Sequence, residues 1–162
     1  RGRGMVQYSL HSMPTLAVNK RATGDYEILE KIEAGLKLLG HEVKTVRAGS
    51  MSLRGAYVSV AGSGIWLVGA HIPRYKPAGP TPGYDPERSR KLLLHKREIQ
   101  RLSGQVLQKG LTLVPLSVYT RGSHIKLEFG LARGKKQFEK REQIRKRDLD
   151  RDVRRSLKED VR

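Results

Sequence analysis

The chain has 162 residues, which is enough for one domain of ordinary size and an appendage. It carries 33 Lys and Arg against 16 Asp and Glu, so its net charge is +17 and a large anionic partner, most commonly a nucleic acid, is expected. The absence of cysteine excludes disulfides, zinc knuckles and thiol chemistry, and it agrees with a cytoplasmic location. No run approaches the roughly 18 apolar residues of a membrane-spanning helix, so no membrane partner is expected.

The first part of the chain predicts a lead-in, a strand and a helix. Residues 1–24 are predicted to be a mobile basic lead-in, since residues 5–24 contain no acid and no clear period. DYEILEKIEAG (25–35) alternates in a way that predicts a strand with a bend or bulge. In LGHEVKTVRAG (39–49) the spacing of Leu39, Val43 and Val46 predicts a short helix that ends at Gly49.

The middle of the chain predicts a hairpin, a loop and a second helix. LRGAYVSV (53–60) and GIWLVGAHI (64–72) are rich in β-branched and aromatic residues around a glycine-rich turn, which predicts a hairpin. Five of the seven prolines lie between Pro73 and Pro86, so that segment is predicted to be a loop. RKLLLHKREIQRLSGQVLQKG (90–110) is predicted to be one helix with Ser89 as N-cap, weakened by Gly104 and ended by Gly110.

A second hairpin completes the predicted domain. LTLVPLSVYT (111–120) and HIKLEFGLA (124–132) flank a turn at residues 121–123, and the second segment alternates apolar and polar residues most cleanly. About five strands with one short and one longer helix predict a mainly β fold. The predicted architecture is a small antiparallel barrel of the oligonucleotide-binding type over residues 25–132.

Residues 133–162 form a basic C-terminal tail with 13 basic and 7 acidic side chains. No Gly or Pro occurs from Lys135 onward, and acid-before-base pairs at helical spacing, such as Glu142/Lys146 and Asp150/Arg154, each add about 0.2–0.5 kcal/mol to a helix. The apolar residues are too sparse for a core or a membrane-surface helix. The tail is therefore predicted to be disordered alone and helical when a partner offers phosphates along its length.

The chain lacks the residue patterns of the common catalytic and metal sites. Its five histidines are isolated, no phosphate-binding loop or nucleophile elbow occurs, and the acids of the barrel are scattered. RGAYVSV (54–60) has one aromatic residue where RNA-recognition motifs have several, so Tyr57 is interpreted as an ordinary strand residue. We therefore expect no enzyme activity, no cofactor, no metal and no small-molecule substrate.

RSRKLLLHKR (88–97) places three leucines between cations. Two interpretations remain open for this segment. It is either a buried helix edge with solvated flanks, or an RNA-facing patch in which cations meet phosphates and an apolar side chain meets an unstacked base.

Taken together, several segments resemble the small protein B family, the tmRNA-binding proteins of bacterial trans-translation. They follow the family's order and cover nearly everything from about residue 19 onward. The matching segments are NKRA (19–22), EAGLKLLGHEVKTVRAG (33–49), HIPRY (71–75), DPERSRKLLLHKREI (85–99), GLTLVPLSVY (110–119) and LARGKKQFEKR (131–141).

The resemblance implies an RNA-binding adaptor. Such a protein grips the tRNA-like domain of tmRNA and escorts it into a stalled ribosome, where the tail orders in the vacant mRNA path against small-subunit rRNA. The chain is then expected to be a cytoplasmic monomer whose partners are tmRNA and the ribosome. The alternative is a ribosomal or general RNA-chaperone protein whose basic tail binds RNA without preference.

The resemblance also implies which residues contact RNA. Glu33 is unusual on a face for a polyanion, and it is interpreted either as an acceptor for a base edge or 2′-hydroxyl, or as the partner of a nearby cation. The positions expected to bind tmRNA are Asn19, Lys20, Glu33, Arg47, Arg90, Lys91, Leu93 and His95. The positions expected to bind the ribosome are Gly134, Lys135, Lys136, Glu139, Lys140, Arg141, Arg145, Lys146 and Arg147.

The chain departs from the family's usual pattern at two positions where the family commonly has histidine. One is Gly24, at a position expected to approach ribosomal RNA, and glycine has no ring with which to stack. The other is Tyr84, which keeps an aromatic face but is not titratable near neutral pH.

Overall fold

The computed structural model describes residues 14–135 and 137–160, with the side chains of residues 137–140, 142, 143, 159 and 160 left out. The strands are β1 Thr15–Val18, β2 Tyr26–Leu36, β3 Tyr57–Ala61, β4 Gly64–Val68, β5 Arg90–Leu93, β6 Thr112–Arg121 and β7 His124–Gly134. The helices are α1 Ala22–Asp25, α2 Gly40–Arg47, α3 Lys96–Lys109 and α4 Gln137–Asp160, with a short 3₁₀ turn at Lys76–Ala78. No helix in these ranges is both long and apolar enough to cross a membrane.

Six of the seven strands form a closed antiparallel barrel, and the seventh, β1, pairs with it from outside. Their order is β1-β6-β3-β4-β5-β2-β7, and β7 pairs again with β6, so six strands close into a ring while β1 adds to β6 from outside. Closure removes the free sheet edges that an open sheet of this size would expose. The predicted mainly β fold with short helices is confirmed, with six strands in the ring.

The core lies inside this ring because the strands alternate inward apolar and outward polar residues. On β7, Leu127 and Phe129 are fully buried, and Ile65 and Leu67 of β4 join the same cluster. Leu102 of α3 is also fully buried in this cluster, so the helix packs on the barrel. Each such side chain contributes roughly 1.5–3 kcal/mol by leaving water.

Most predicted elements are confirmed at their positions. The strand over 25–35 is β2, with a register irregularity between Ile28 and Glu30, and both predicted hairpins form. Helix α2 is followed by Gly49 at φ 81°, and α3 ends at Gly110 at φ 63°. Both glycines adopt the left-handed conformation that other residues reach only with strain.

The prediction of a single helix from Ser89 is wrong for its first residues. Arg90–Leu93 form strand β5, which pairs with β4 and β2, and α3 begins only at Lys96 with His95 as N-cap. The apolar run is compatible with a helix or a strand. It forms a strand here because it pairs with two neighbouring strands. The interpretation of residues 88–97 as a buried helix edge is therefore wrong.

The predicted lead-in is structured in its second half. Thr15–Val18 pair with β6, and Ala22 of α1 is buried in a small cluster with Val114 and Leu116. Residues 1–13 of that prediction lie outside the described part of the chain. At the other end, β7 continues to Gly134, two residues beyond the predicted limit of the barrel.

Candidate nucleic-acid interface

Outward side chains of four adjacent strands form one continuous surface, which we call the outer row. On β2 the outward positions Glu33 and Gly35 lie opposite Glu128 and Lys126 of β7. On its other side Gly35 lies opposite Leu93 of β5, and Lys91 of β5 lies opposite Trp66 of β4. The outer row consists of Glu33, Gly35, Lys126, Leu93, Lys91 and Trp66.

Glu33 is held in position by two donors. Its carboxylate accepts hydrogen bonds from the Tyr119 hydroxyl and from Nη1 of Arg121, the latter at 2.8 Å. Burial and the adjacent Glu33 carboxylate raise the pKa of Tyr119, so that hydroxyl stays a donor at neutral pH. The interpretation of Glu33 as the partner of a nearby cation is confirmed, and its unused lone pairs leave room for a further donor such as a base amine or 2′-hydroxyl.

Leu93 presents an apolar surface among cations. Its side chain is 53% exposed, and a Cβ added to Gly35 would lie only 3.1 Å from the Leu93 Cβ. Glycine at this position therefore leaves the leucine room to lie across the neighbouring strand. Beside it is a cleft of about 400 Å³ whose lining includes His124 and Lys126. An exposed apolar side chain next to basic groups suits an unstacked base flanked by phosphate.

Three of the predicted RNA-binding residues lie along or near this surface. Lys91 is exposed on the outer row, and His95 is exposed at the start of α3. Nη2 of Arg47 donates to the Ser123 carbonyl at 2.8 Å, which fixes the end of α2 to the turn between β6 and β7. The side chain of Arg47 thus contacts Ser123, which lines the cleft together with His124.

Asn19 and Lys20 lie in a different place, a cleft of about 750 Å³ beside β1 and α1. The Asn19 amide donates to the Pro115 carbonyl at 2.8 Å, and its oxygen accepts from the Arg21 N–H at 3.3 Å. Asn19 therefore shapes the turn, while exposed Lys20, Arg21 and Arg54 supply the positive charge of this second basic surface.

The expectation that Arg90 faces RNA is wrong, because Arg90 is completely buried. Inward and outward residues alternate on β5, so Arg90 points into the protein while Lys91 points out. Its Nη2 lies 2.6 Å from Oε2 of Glu42, which is also completely buried. The remaining acceptors of Arg90 are the Ala70 carbonyl at 2.7 Å, the Pro86 carbonyl at 3.0 Å and the Tyr84 hydroxyl at 3.2 Å.

Glu42 is the centre of this buried network. Burial alone would raise its pKa, but hydrogen bonds from Arg88, the Leu39 N–H and Arg90 outweigh burial and lower the pKa of Glu42 to about 2. The Leu39 N–H donates to Glu42 Oε1 at 2.9 Å, so the same carboxylate also caps the N-terminus of α2. The network therefore joins α2 to β5 and to the proline-rich loop.

Tyr84 belongs to this network and not to an exposed surface. Its hydroxyl lies 2.8 Å from the Ile72 carbonyl and 3.0 Å from Glu42 Oε2, and its ring meets His41 edge-on at 4.7 Å. Burial and the Glu42 carboxylate raise the pKa of Tyr84. The Tyr84 hydroxyl therefore stays protonated near neutral pH and keeps its hydrogen bonds there.

The tail continues from the barrel as helix α4. The Lys135 N–H donates to the Asp25 carbonyl at 3.0 Å, and the Lys135 ammonium donates to the Thr23 carbonyl at 2.6 Å, so the exit of the tail is tied to α1. A Cβ at Gly24 would lie 3.1 Å from Nη2 of Arg147, which places α4 against this helix. Gly134 ends β7, and the exposed predicted residues on α4 are Arg141, Arg145, Lys146 and Arg147.

Three other predicted tail residues cannot be compared with the structure in the same way. Lys136 lies outside the described residues, and Glu139 and Lys140 are described by their backbone alone. Of the side chains that are described on α4, all are exposed, including Leu149 and Val153. The helical part of the tail prediction agrees with α4, and its dependence on a partner stays a prediction.

Three members of the outer row were not singled out from the sequence: Gly35, Trp66 and Lys126. All three lie in correctly predicted strands, and the alternation of Ile65 and Leu67 around Trp66 would have placed the indole outside. That signal does not show which outward positions of different strands become neighbours, because strand order is a tertiary property.

Comparison with known proteins finds one family along the chain. The model of the SmpB protein family matches residues 16–159. An SsrA-binding protein of Chloroflexus aggregans is 50% identical over 147 residues, covering 91% of this chain and 93% of the relative. SsrA-binding proteins of Roseiflexus sp. and Microcystis aeruginosa are 49% and 51% identical, covering 91% and 86% of this chain and 93% and 91% of the relatives.

A solved structure is also similar. It is described as "tmRNA-SmpB: a journey to the center of the bacterial ribosome". Its chain is 48% identical and superposes with a TM-score of 0.60, covering 74% of this chain and 84% of the solved chain. The similarity therefore extends to the fold as well as the sequence.

Proposed function

The chain belongs to the SmpB protein family, and we propose that it binds the tRNA-like domain of tmRNA and delivers it to stalled ribosomes for trans-translation. The observation that carries this proposal is about 50% identity to SsrA-binding proteins over 91% of the chain. The family match over residues 16–159 includes the outer row and all but the last residue of α4. In this role the chain is a cytoplasmic adaptor without a catalytic step of its own.

The outer row supplies the chemistry for the RNA-binding part of this role. Lys91 and Lys126 offer charge to phosphates, Leu93 offers an apolar contact, and Glu33 offers an oriented acceptor. Phosphate contacts position an RNA, whereas contacts to bases and 2′-hydroxyls make one RNA preferred over another. Glu33 and Leu93 are therefore assigned to selectivity, and the lysines to general affinity.

Helix α4 supplies the second part of the role. Its 24 residues extend about 36 Å at the rise of an α-helix, and its described side chains are all exposed. A helix with alternating charges and only a sparse apolar stripe suits a channel lined with phosphates. We assign to α4 the sensing of an empty mRNA channel.

The RNA-binding assignment is tested by Leu93→Ala and Glu33→Gln in a gel shift with the tRNA-like domain at several salt concentrations. Both variants are expected to weaken binding roughly tenfold, which corresponds to about 1.4 kcal/mol. Leu107→Ala is the matched control, because Leu107 is 80% exposed on α3 and is not part of the outer row. Unchanged affinity in both outer-row variants would remove this surface from the site.

The tail assignment is tested by breaking α4 at one position. Val153→Pro removes a helix hydrogen bond and is expected to abolish tagging on stalled ribosomes, while Val153→Ala preserves the helix and should retain tagging. A chain ending at Lys135 keeps all of β7 and should bind tmRNA without tagging. Full tagging by the proline variant would show that a continuous α4 is not required.

Competition separates this function from a general RNA chaperone. An unlabelled hairpin of the same length should displace the tRNA-like domain only weakly if the outer row reads more than phosphate. Equal displacement by both RNAs would favour the unselective alternative.

A further inference from the structure

We propose that Trp66 is a stacking site for one unpaired base of the bound RNA, with Lys91 beside it to receive the adjoining phosphate. The proposal rests on the proposed function, since it names a further contact of the same outer row. It concerns a residue on β4, one strand beyond Leu93, and so extends the RNA-binding surface around the barrel.

The indole lies on the outside of the barrel although its strand neighbours do not. Ile65 and Leu67 are completely buried in the core, whereas Trp66 between them is only half-buried. Its partners across the sheet are Ser59 on β3 and Lys91 on β5. A large apolar ring held between a small polar residue and a lysine contributes little to the core.

Gly64 provides the space in which the indole rests. A Cβ added to Gly64 would lie 3.3 Å from Nε1 of Trp66 and 3.6 Å from Cε of Lys91. The ring edge and the lysine chain therefore both lie over this glycine, and they meet above the same point of the sheet. This places an aromatic surface and a mobile positive charge within reach of one nucleotide.

Within the described part of the protein, the indole of Trp66 forms neither a hydrogen bond nor a ring contact. None of the hydrogen bonds formed by the described residues involves Nε1 of Trp66, and none of their ring or cation–π contacts involves its indole. By contrast, the rings of Tyr84 and Tyr75 meet His41 and Lys44 respectively. Trp66 thus offers both a ring surface and an N–H donor to a partner.

The charge and chemistry of the surface around Trp66 indicate which class of ligand it binds. The net charge of +17 attracts a polyanion, and an aromatic ring beside a lysine matches a base and its phosphate. Stacking on an aromatic side chain tolerates any base, so Trp66 should add affinity more than sequence preference. The class of ligand is an unpaired nucleotide in a loop or bulge of the RNA.

The chain is well suited to a direct test because Trp66 is its one tryptophan. The intact chain is titrated with the tRNA-like domain while binding is followed by gel shift and Trp66 emission is recorded in parallel. Stacking is expected to quench the emission in proportion to the bound fraction. A Trp66→Phe, Leu107→Trp chain moves the fluorophore to α3, where binding should leave the emission nearly unchanged.

Affinity is measured with the same RNA. Trp66→Ala is expected to weaken binding roughly 5- to 150-fold, the range for loss of one stacked base, while Trp66→Phe should lose much less because a smaller ring remains. Circular dichroism verifies that each variant is folded. If Trp66→Ala unfolds, the site is tested by the emission of the intact chain and by the smaller loss of affinity in Trp66→Phe.

The outcomes separate this site from the function on which it rests. Binding with quenching and loss of affinity in Trp66→Ala supports the stacking site. Binding of the intact chain without quenching, or full affinity in Trp66→Ala, overturns the site and leaves the proposed function standing. Failure of the intact chain to bind the tRNA-like domain overturns both.

Discussion

Two neighbouring cations on β5 should behave in opposite ways when each is replaced by alanine. Arg90 is completely buried with Glu42, while Lys91 is exposed on the outer row. Arg90→Ala removes the completely buried one of the two arginines that pair with the Glu42 carboxylate, and breaking such a buried pair costs about 3–5 kcal/mol in the free energy of unfolding. Since a domain of this kind is stable by only about 5–15 kcal/mol, this is a large fraction of the total.

Lys91→Ala should leave the free energy of unfolding within about 0.5 kcal/mol of the unchanged chain, because its side chain is exposed. It should instead weaken RNA binding for all sequences and lower the slope of log affinity against log salt by about 1, as expected for one lost phosphate contact. Arg90→Ala, measured where it is still folded, should keep the original salt slope.

The assay combines urea denaturation with gel shifts at several salt concentrations for both variants. The denaturation midpoint reports stability, and the salt slope counts phosphate contacts. An Arg90→Ala chain that is fully stable but has lost RNA affinity would refute the assignment of Arg90 to the interior network.

Four further predictions concern the buried network and the glycines. The pKa of Glu42 is about 2 in the folded chain and 4.5 ordinarily, so its charge stabilises the fold above pH 4.5. As the pH falls from about 5 to 2, the free energy of unfolding should decrease by on the order of 3 kcal/mol. Urea titrations should show this decrease in the unchanged chain and not in Glu42→Gln. Tyr84→Phe should lower the free energy of unfolding by about 1–3 kcal/mol, since the Ile72 carbonyl loses a hydrogen-bond partner, and retained stability would contradict that bond. Gly104→Ala should stabilise α3 by about 1 kcal/mol because an added Cβ meets nothing within 4 Å, whereas Gly35→Ala should displace Leu93 and weaken RNA binding in the gel shift.

Local patterns were sufficient for most of the secondary structure. The hairpin turns, the helix over 40–47 and the final strand follow from residue periodicity and glycine positions, which depend only on near neighbours along the chain. The positive charge and the lack of catalytic constellations were equally visible in the residues themselves, as were the segments that resemble small protein B. A prediction of an RNA-binding barrel with a helical tail could therefore be made without coordinates.

The surface and interior roles of individual residues depended on strand pairing. Arg90 and Lys91 are adjacent in sequence and alike in charge, but their strand directs one toward Glu42 and the other toward solvent. Trp66 and Lys126 became part of a site through neighbours that are far away in the chain. Composition and periodicity along one strand do not specify which strand lies beside it, so only the closed barrel decided which residues form the outer row.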